Sequence, residues 1–210
     1  MFGYSSIDER NQAIEKVVKI EWDMFQNVNN IGGRADCQND WNTFHLMRFS
    51  QFSAWTDFML MSYDKDLEQA DKQGRNLIME KYGYMMEFTA PEYYRNELVP
   101  FLPEISAETM NIIREITDYM VDCEKEFAAK YPKLSKAGRI ISADDENGGF
   151  TSVETYAIGE LKTYSRNTLD LYLEHIRVNR AAGKNLALIV KDAMVKMYGY
   201  ASLEDAESKL

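Results

Sequence analysis

Apolar residues recur at intervals of three and four along nearly the whole chain, the spacing of amphipathic helices. Ser6 stands three residues before Glu9, a capping-box spacing that opens a first helix reaching about Val28. Its stripe is Ile14, Val17, Val18, Met24, Phe25 and Val28. A loop of turn-forming composition follows from Asn29 to Cys37. The pattern then predicts a second helix from about residue 40 to residue 63. Trp41, Phe44, Met47, Phe52, Trp55 and Phe58 lie around all its sides, which places it at the centre of a bundle.

Punctuation divides the remainder. Gly74 marks a break before a helix over 75–87, and Thr89-Ala90-Pro91-Glu92 reads as a short helix start with proline in the first turn. Pro100 and Pro103 end that piece. Ser106 caps a helix to about Lys130, buried through Met110, Ile113, Ile116, Met120, Cys123 and Phe127, and Pro132 stops it. Residues 138–150 form one irregular acidic loop, in which Arg139-Ile140-Ile141 is a candidate extended piece. Thr151 and Glu154 make a second capping box, starting a long helix to about Asn179 or Arg180. Gly183 permits a turn, Leu186 to Tyr198 forms another helix, and Ser202 opens a last short one. The sequence predicts an all-α fold: a single compact bundle of six to eight helices, with residues 1–210 as one domain.

Composition narrows the class. The chain has 210 residues, 45% hydrophobic and 28% charged, enough to bury a core without a disulfide or metal staple. Cys37 and Cys123 form no CxxC pair, which suits a reducing compartment. A net charge of −10 argues against nucleic acid, whose phosphates require a basic field. The amino terminus has no secretory pattern and no apolar run spans a bilayer, so the expected location is cytoplasmic, with no membrane partner.

The phosphate-loop, GxGxxG, GxSxG and HExxH motifs are all absent. His45 and His175 are the only histidines, and neither follows a glutamate by three residues, so a paired Glu-x-x-His metal site cannot be built. No metal site is assigned; a carboxylate-only magnesium or manganese site is left open, and the cofactor is unknown.

What stands out is charge on apolar stripes. Glu21 falls among Val17, Val18, Met24 and Phe25. Arg48, beside Gln51, is flanked at helical spacing by Trp41, His45, Phe52 and Trp55, and Glu160 lies between Ala157 and Tyr164. A buried charge costs several kcal/mol unless paired, so Glu21 and Arg48 need partners. Two readings compete. One is an ion-pair network that orients the helices. The other is a polar-floored pocket for a small anionic ligand or substrate, with Arg48, Gln51, Tyr164 and His45 binding and Glu21 or Glu160 as general base. Cys37, before a helix amino terminus, is a candidate activated thiol, or else inert. Gly32-Gly33-Arg34 is a candidate anion cradle, or else a connector.

The run from Glu21 to Trp55, EWDMFQNVNNIGGRADCQNDWNTFHLMRFSQFSAW, resembles the bacterial domain-of-unknown-function family numbered 4125. GRNLIMEKYGYMMEFTAPEYY, TSVETYAIGELKTYSRNTLDLY and the YGYASLEDAE ending extend the resemblance over nearly the whole chain. It implies a bacterial cytoplasmic protein and no assigned reaction, so enzyme status is left open. The alternative to a pocket is a non-catalytic interaction or regulatory module. Its surfaces would be Asp144 to Glu146 and Tyr93-Tyr94, and a homodimer fits either reading.

Overall fold

The computed structural model describes residues 3–29, 33–146 and 151–210. Residues 30–32 of the predicted first loop, with Gly32 of the candidate cradle, and residues 147–150 of the predicted acidic loop lie outside the described residues.

Eleven α-helices are found among the described residues, several shorter than the six to eight expected, and no strand accompanies them. They are α1 (Ile7–Gln26), α2 (Trp41–Ser53), α3 (Asp57–Lys72), α4 (Leu77–Thr89), α5 (Pro91–Tyr93) and α6 (Ala107–Lys130). After these come α7 (Pro132–Lys136), α8 (Val153–Leu161), α9 (Arg166–Ala181), α10 (Leu186–Met197) and α11 (Leu203–Lys209). No helix is long and apolar enough to cross a membrane among the described residues.

Most starts follow the cap chemistry. The Ser6 hydroxyl accepts from the Glu9 amide at 3.1 Å, and Ser106 and Ser202 do the same for α6 and α11. Gly74 and Gly183 turn the chain with φ of 67° and 64°, a conformation other residues adopt only at a steric cost.

Two expectations fail at caps over which the apolar spacing continues. The predicted central helix over 40–63 is two helices. Thr56 caps α3 through the Met59 amide at 3.2 Å, while the Trp55 amide turns back to the Phe52 carbonyl at 3.1 Å. Arg10 of α1 completes the break: its Nη2 donates to the Phe52, Ser53 and Trp55 carbonyls, and its Nε to Asp57 at 2.9 Å. One guanidinium thus satisfies carbonyls that a continuing helix would have used. The pair is not apolar-buried all round, since Met47 and Phe58 face solvent at 48% and 44% exposure.

The predicted long helix after residue 151 is likewise two, α8 and α9. Ser165 caps α9 through the Thr168 amide at 3.3 Å. Ser152, not Thr151, caps α8, through the Thr155 amide at 3.0 Å. Glu154 instead accepts from the Ser142 hydroxyl and the Ala143 amide, at 3.0 and 2.8 Å, tying the acidic loop to α8. Pro132 ends α6 but also starts α7.

The main core joins Ile14, Val17 and Val18 of α1 to Phe52, Met59, Leu60 and Tyr63, then to Ile113 and Ile116 of α6 and Leu169 and Ile176 of α9. A second cluster around Phe127, Val195 and Leu203 seats α10 and α11. Helices α4 and α8 approach closely at Gly159, where an added Cβ would lie 2.5 Å from Met85 Cγ and 2.9 Å from the Lys81 carbonyl. Gly159→Ala must therefore push these helices apart. We expect a loss of about 1–3 kcal/mol in urea unfolding; an unchanged midpoint would show that the contact yields freely.

Candidate functional site

Five helices deliver polar side chains into the middle of this core. Glu21 comes from α1, Arg48 and Gln51 from α2, Tyr63 from α3, Lys81 from α4 and Glu160 from α8. Tyr164 follows from the turn after α8. Glu21 is fully buried, and Arg48, Lys81 and Glu160 are 6%, 3% and 6% exposed.

The guanidinium of Arg48 lies between the two carboxylates. Its Nε and Nη2 both donate to Glu21, the former at 2.6 Å. Its Nη1 donates to Gln51 Oε1 at 2.7 Å and to Glu160 at 3.0 and 3.1 Å. Glu160 also accepts from Lys81 Nζ, from Gln51 Nε2 at 2.9 Å and from the Tyr164 hydroxyl at 2.6 Å. Tyr63 donates to Glu21 at 2.7 Å. Lys81 Nζ stands 3.6 Å over the Tyr156 ring, and the Arg48 guanidinium 4.7 Å over Phe52. Two carboxylates face two cations, so the formal charges cancel.

The electrostatics follow from that packing. Burial, the largest influence on Glu160, disfavours its charge, yet Arg48 and Lys81 overcome it and hold the carboxyl far below its ordinary range. Burial likewise opposes the charge on Arg48, but Glu160 and Glu21 raise its pKa well above the usual value. For Lys81 burial wins, and its pKa is lowered despite Glu160. Burial and then the neighbouring carboxylate push Tyr63 and Tyr164 well up, which keeps both as neutral donors.

The structure thus brings together Glu21, Arg48, Gln51, Glu160 and Tyr164 from the sequence reading. Three other residues stand apart. His45 lies on the outer side of α2, with Nε2 at 2.9 and 3.0 Å from the Glu15 carboxylate and its ring between Trp41 and Phe49. Cys37 is exposed on a single 3₁₀ turn, Asp36–Asn39. Arg34 ties its own loop together, donating to Asn39 Oδ1 at 2.9 Å, the Gln38 carbonyl at 2.7 Å and Gln26.

Sequence reasoning missed Lys81 and Tyr63. Lys81 carried the same signal as Glu21, since it falls on the α4 stripe of Leu77, Ile78, Tyr84 and Met85. Tyr63 carried none, because an aromatic on a core stripe is ordinary.

All three nitrogens of Arg48 are engaged by side chains of this chain, and Glu160 accepts from four of them. These features define an all-α protein organised around a buried, charge-balanced cluster. Residues 11–208 match the family described as Protein of unknown function (DUF4125), and the chain belongs to that family. Neither the curated proteins nor the solved structures contain a match.

Proposed function

We propose that this protein is a non-catalytic protein-interaction module, and that the segment from Phe88 to Leu102 is its recognition surface. The observation that carries this reading is Phe101, which is 85% exposed. Phe88, Tyr93 and Val99 beside it in sequence are 41%, 41% and 47% exposed. No residue of α5, of the π-helical turn Tyr94–Leu98 or of the 3₁₀ turn Val99–Phe101 is buried. Burying a Phe side chain is worth about 1.5–3 kcal/mol, so covering this segment offers a partner substantial binding energy.

The segment is held for that purpose, not loose. Tyr84 donates its hydroxyl to the Pro103 carbonyl at 2.6 Å, and the Leu102 side chain seats against Gly83. Glu92, Glu97 and Glu104, against the single cation Arg95, put a net acidic charge along the same stretch of chain, while Glu87 is paired with Lys162. The fitting partner presents an apolar pocket for Phe101 with a basic rim. Against this, the pocket reading for Glu21, Arg48 and Glu160 loses ground because the guanidinium is already spent on its neighbours.

A photo-crosslinking phenylalanine at position 101, introduced in the host cell, identifies the partner. Binding of the purified partner to the native chain and to Phe101→Asp then measures the contribution. We expect about 30-fold weaker binding for Phe101→Asp, the scale of an interface hot spot, with a change in unfolding free energy within about 0.5 kcal/mol. Equal affinities would sink the proposal. Cross-links to other copies of this chain alone would replace a foreign partner with a homodimer.

A further inference from the structure

A small cavity of about 30 Å³ lies where the α2–α3 break meets α9 and α10. Its apolar walls are Ala54, Leu186 and Val190, and its polar lining is Gln51, Trp55, Tyr172 and His175. Trp55 is only 5% exposed, and its indole nitrogen, a donor with no acceptor role, makes no hydrogen bond of good geometry. The Tyr172 hydroxyl stands near it without the alignment of a bond. Leaving a buried donor unmet is costly, so a group in this position calls for an acceptor.

The other lining groups define what that acceptor is. Gln51 already exchanges bonds with Arg48 and Glu160. The Tyr172 hydroxyl makes a distant contact with the Met120 sulfur, at 3.9 Å, and its oxygen, near the Trp55 indole, is able to accept. His175 is kept toward its neutral form by burial, against a hydrogen bond to the Ala54 carbonyl, and Asn179 approaches its ring at 3.2 Å. No lining side chain brings a charge to the cavity. The volume admits one water-sized group.

We infer that this cavity is a binding site for one uncharged acceptor oxygen, which takes the Trp55 N–H and donates onward to the Tyr172 hydroxyl. The oxygen belongs either to an ordered water or to a hydroxyl at the tip of a slim ligand entering beneath α10. That helix is seated lightly: Val195 is its one buried residue among the described residues.

The test uses the full chain purified directly from cells. The three tryptophans give three indole N–H signals, and Trp55→Phe identifies the relevant one by its disappearance. Selective ¹⁵N labelling provides a second route to that assignment if the variant folds poorly. An isolated density peak about 3 Å from Trp55 Nε1 in a high-resolution crystal structure, with a water cross-peak on that indole proton, establishes the water form. Density that continues from the peak toward α10 establishes the ligand form. A vacant cavity, or an indole N–H bonded directly to Tyr172, overturns the inference.

Discussion

Arg48→Met lowers the unfolding free energy by about 3–5 kcal/mol, the range for removing one partner from a buried ion pair. For a chain of this size that corresponds to a fall of roughly 6–20 °C in the unfolding midpoint. The reason is not the loss of attraction alone. The substitution leaves Glu21, fully buried, with Tyr63 as its remaining side-chain donor, and it leaves Glu160 with Lys81, Gln51 and Tyr164. Methionine fills much of the volume, so the effect reports on charge more than on a cavity. Thermal and urea unfolding of the two proteins measure it, and coincident transitions would mean that the cluster contributes nothing to stability.

The second large effect is on pH. Tyr63, Tyr164 and Tyr172 are buried and Tyr156 is half-buried, and burial foremost raises the pKa of each above the ordinary value of 10. Their contribution is complete below pH 10. Above it the unfolded chain releases protons that the folded chain retains, so stability falls as pH rises. One pH unit well above 10 costs about 1.4 kcal/mol for each of Tyr63, Tyr164 and Tyr172, or roughly 4 kcal/mol for the three together, and Tyr156 adds in the same direction. Lys81 works the other way, because its lowered folded pKa adds stability as pH rises toward 10.5. One lysine offsets only part of the loss.

On the acid side, Glu160 has a depressed folded pKa. Its contribution is present above about 4.5 and is lost as pH falls below that value. His175, lowered by burial, adds a smaller decline below 6.5. The expected profile is a plateau from about pH 7 to 10, a gradual acid slope and a steep alkaline one. Urea midpoints measured across this range check it, and Tyr63→Phe should make the alkaline limb shallower. A flat profile between pH 10 and 11 would contradict the burial of these hydroxyls.

Much of this was legible in the residues. Three-and-four periodicity gave the helical class, and Ser6, Ser106, Ser202, Gly74 and Gly183 marked real boundaries because cap and turn chemistry is local. Charge on an apolar stripe pointed to Glu21, Arg48 and Glu160, which do meet across three helices. What failed was non-local or masked. The helix break before Thr56 lies inside an apolar pattern that keeps helical spacing across it, and it is fixed by Arg10, more than forty positions away. Ser165 was hidden in the same way, between Tyr164 and Leu169 of one apparent stripe. Lys81 was readable by the rule that found Glu21. Its long aliphatic stem fits a core stripe, and only the terminal ammonium betrays it. The exposure of Phe101 could not be read at all, since no local pattern tells a buried phenylalanine from a displayed one.

The central claim is that the Glu21–Arg48–Glu160–Lys81 cluster is closed on itself and that recognition happens elsewhere. A high-resolution crystal structure of the protein taken straight from its host tests this most directly. The account predicts Arg48 bonded to Glu21, Gln51 and Glu160, with no additional atom within hydrogen-bond reach of its guanidinium. A ligand atom inserted between Arg48 and either carboxylate would contradict the account and restore the cluster as a binding site.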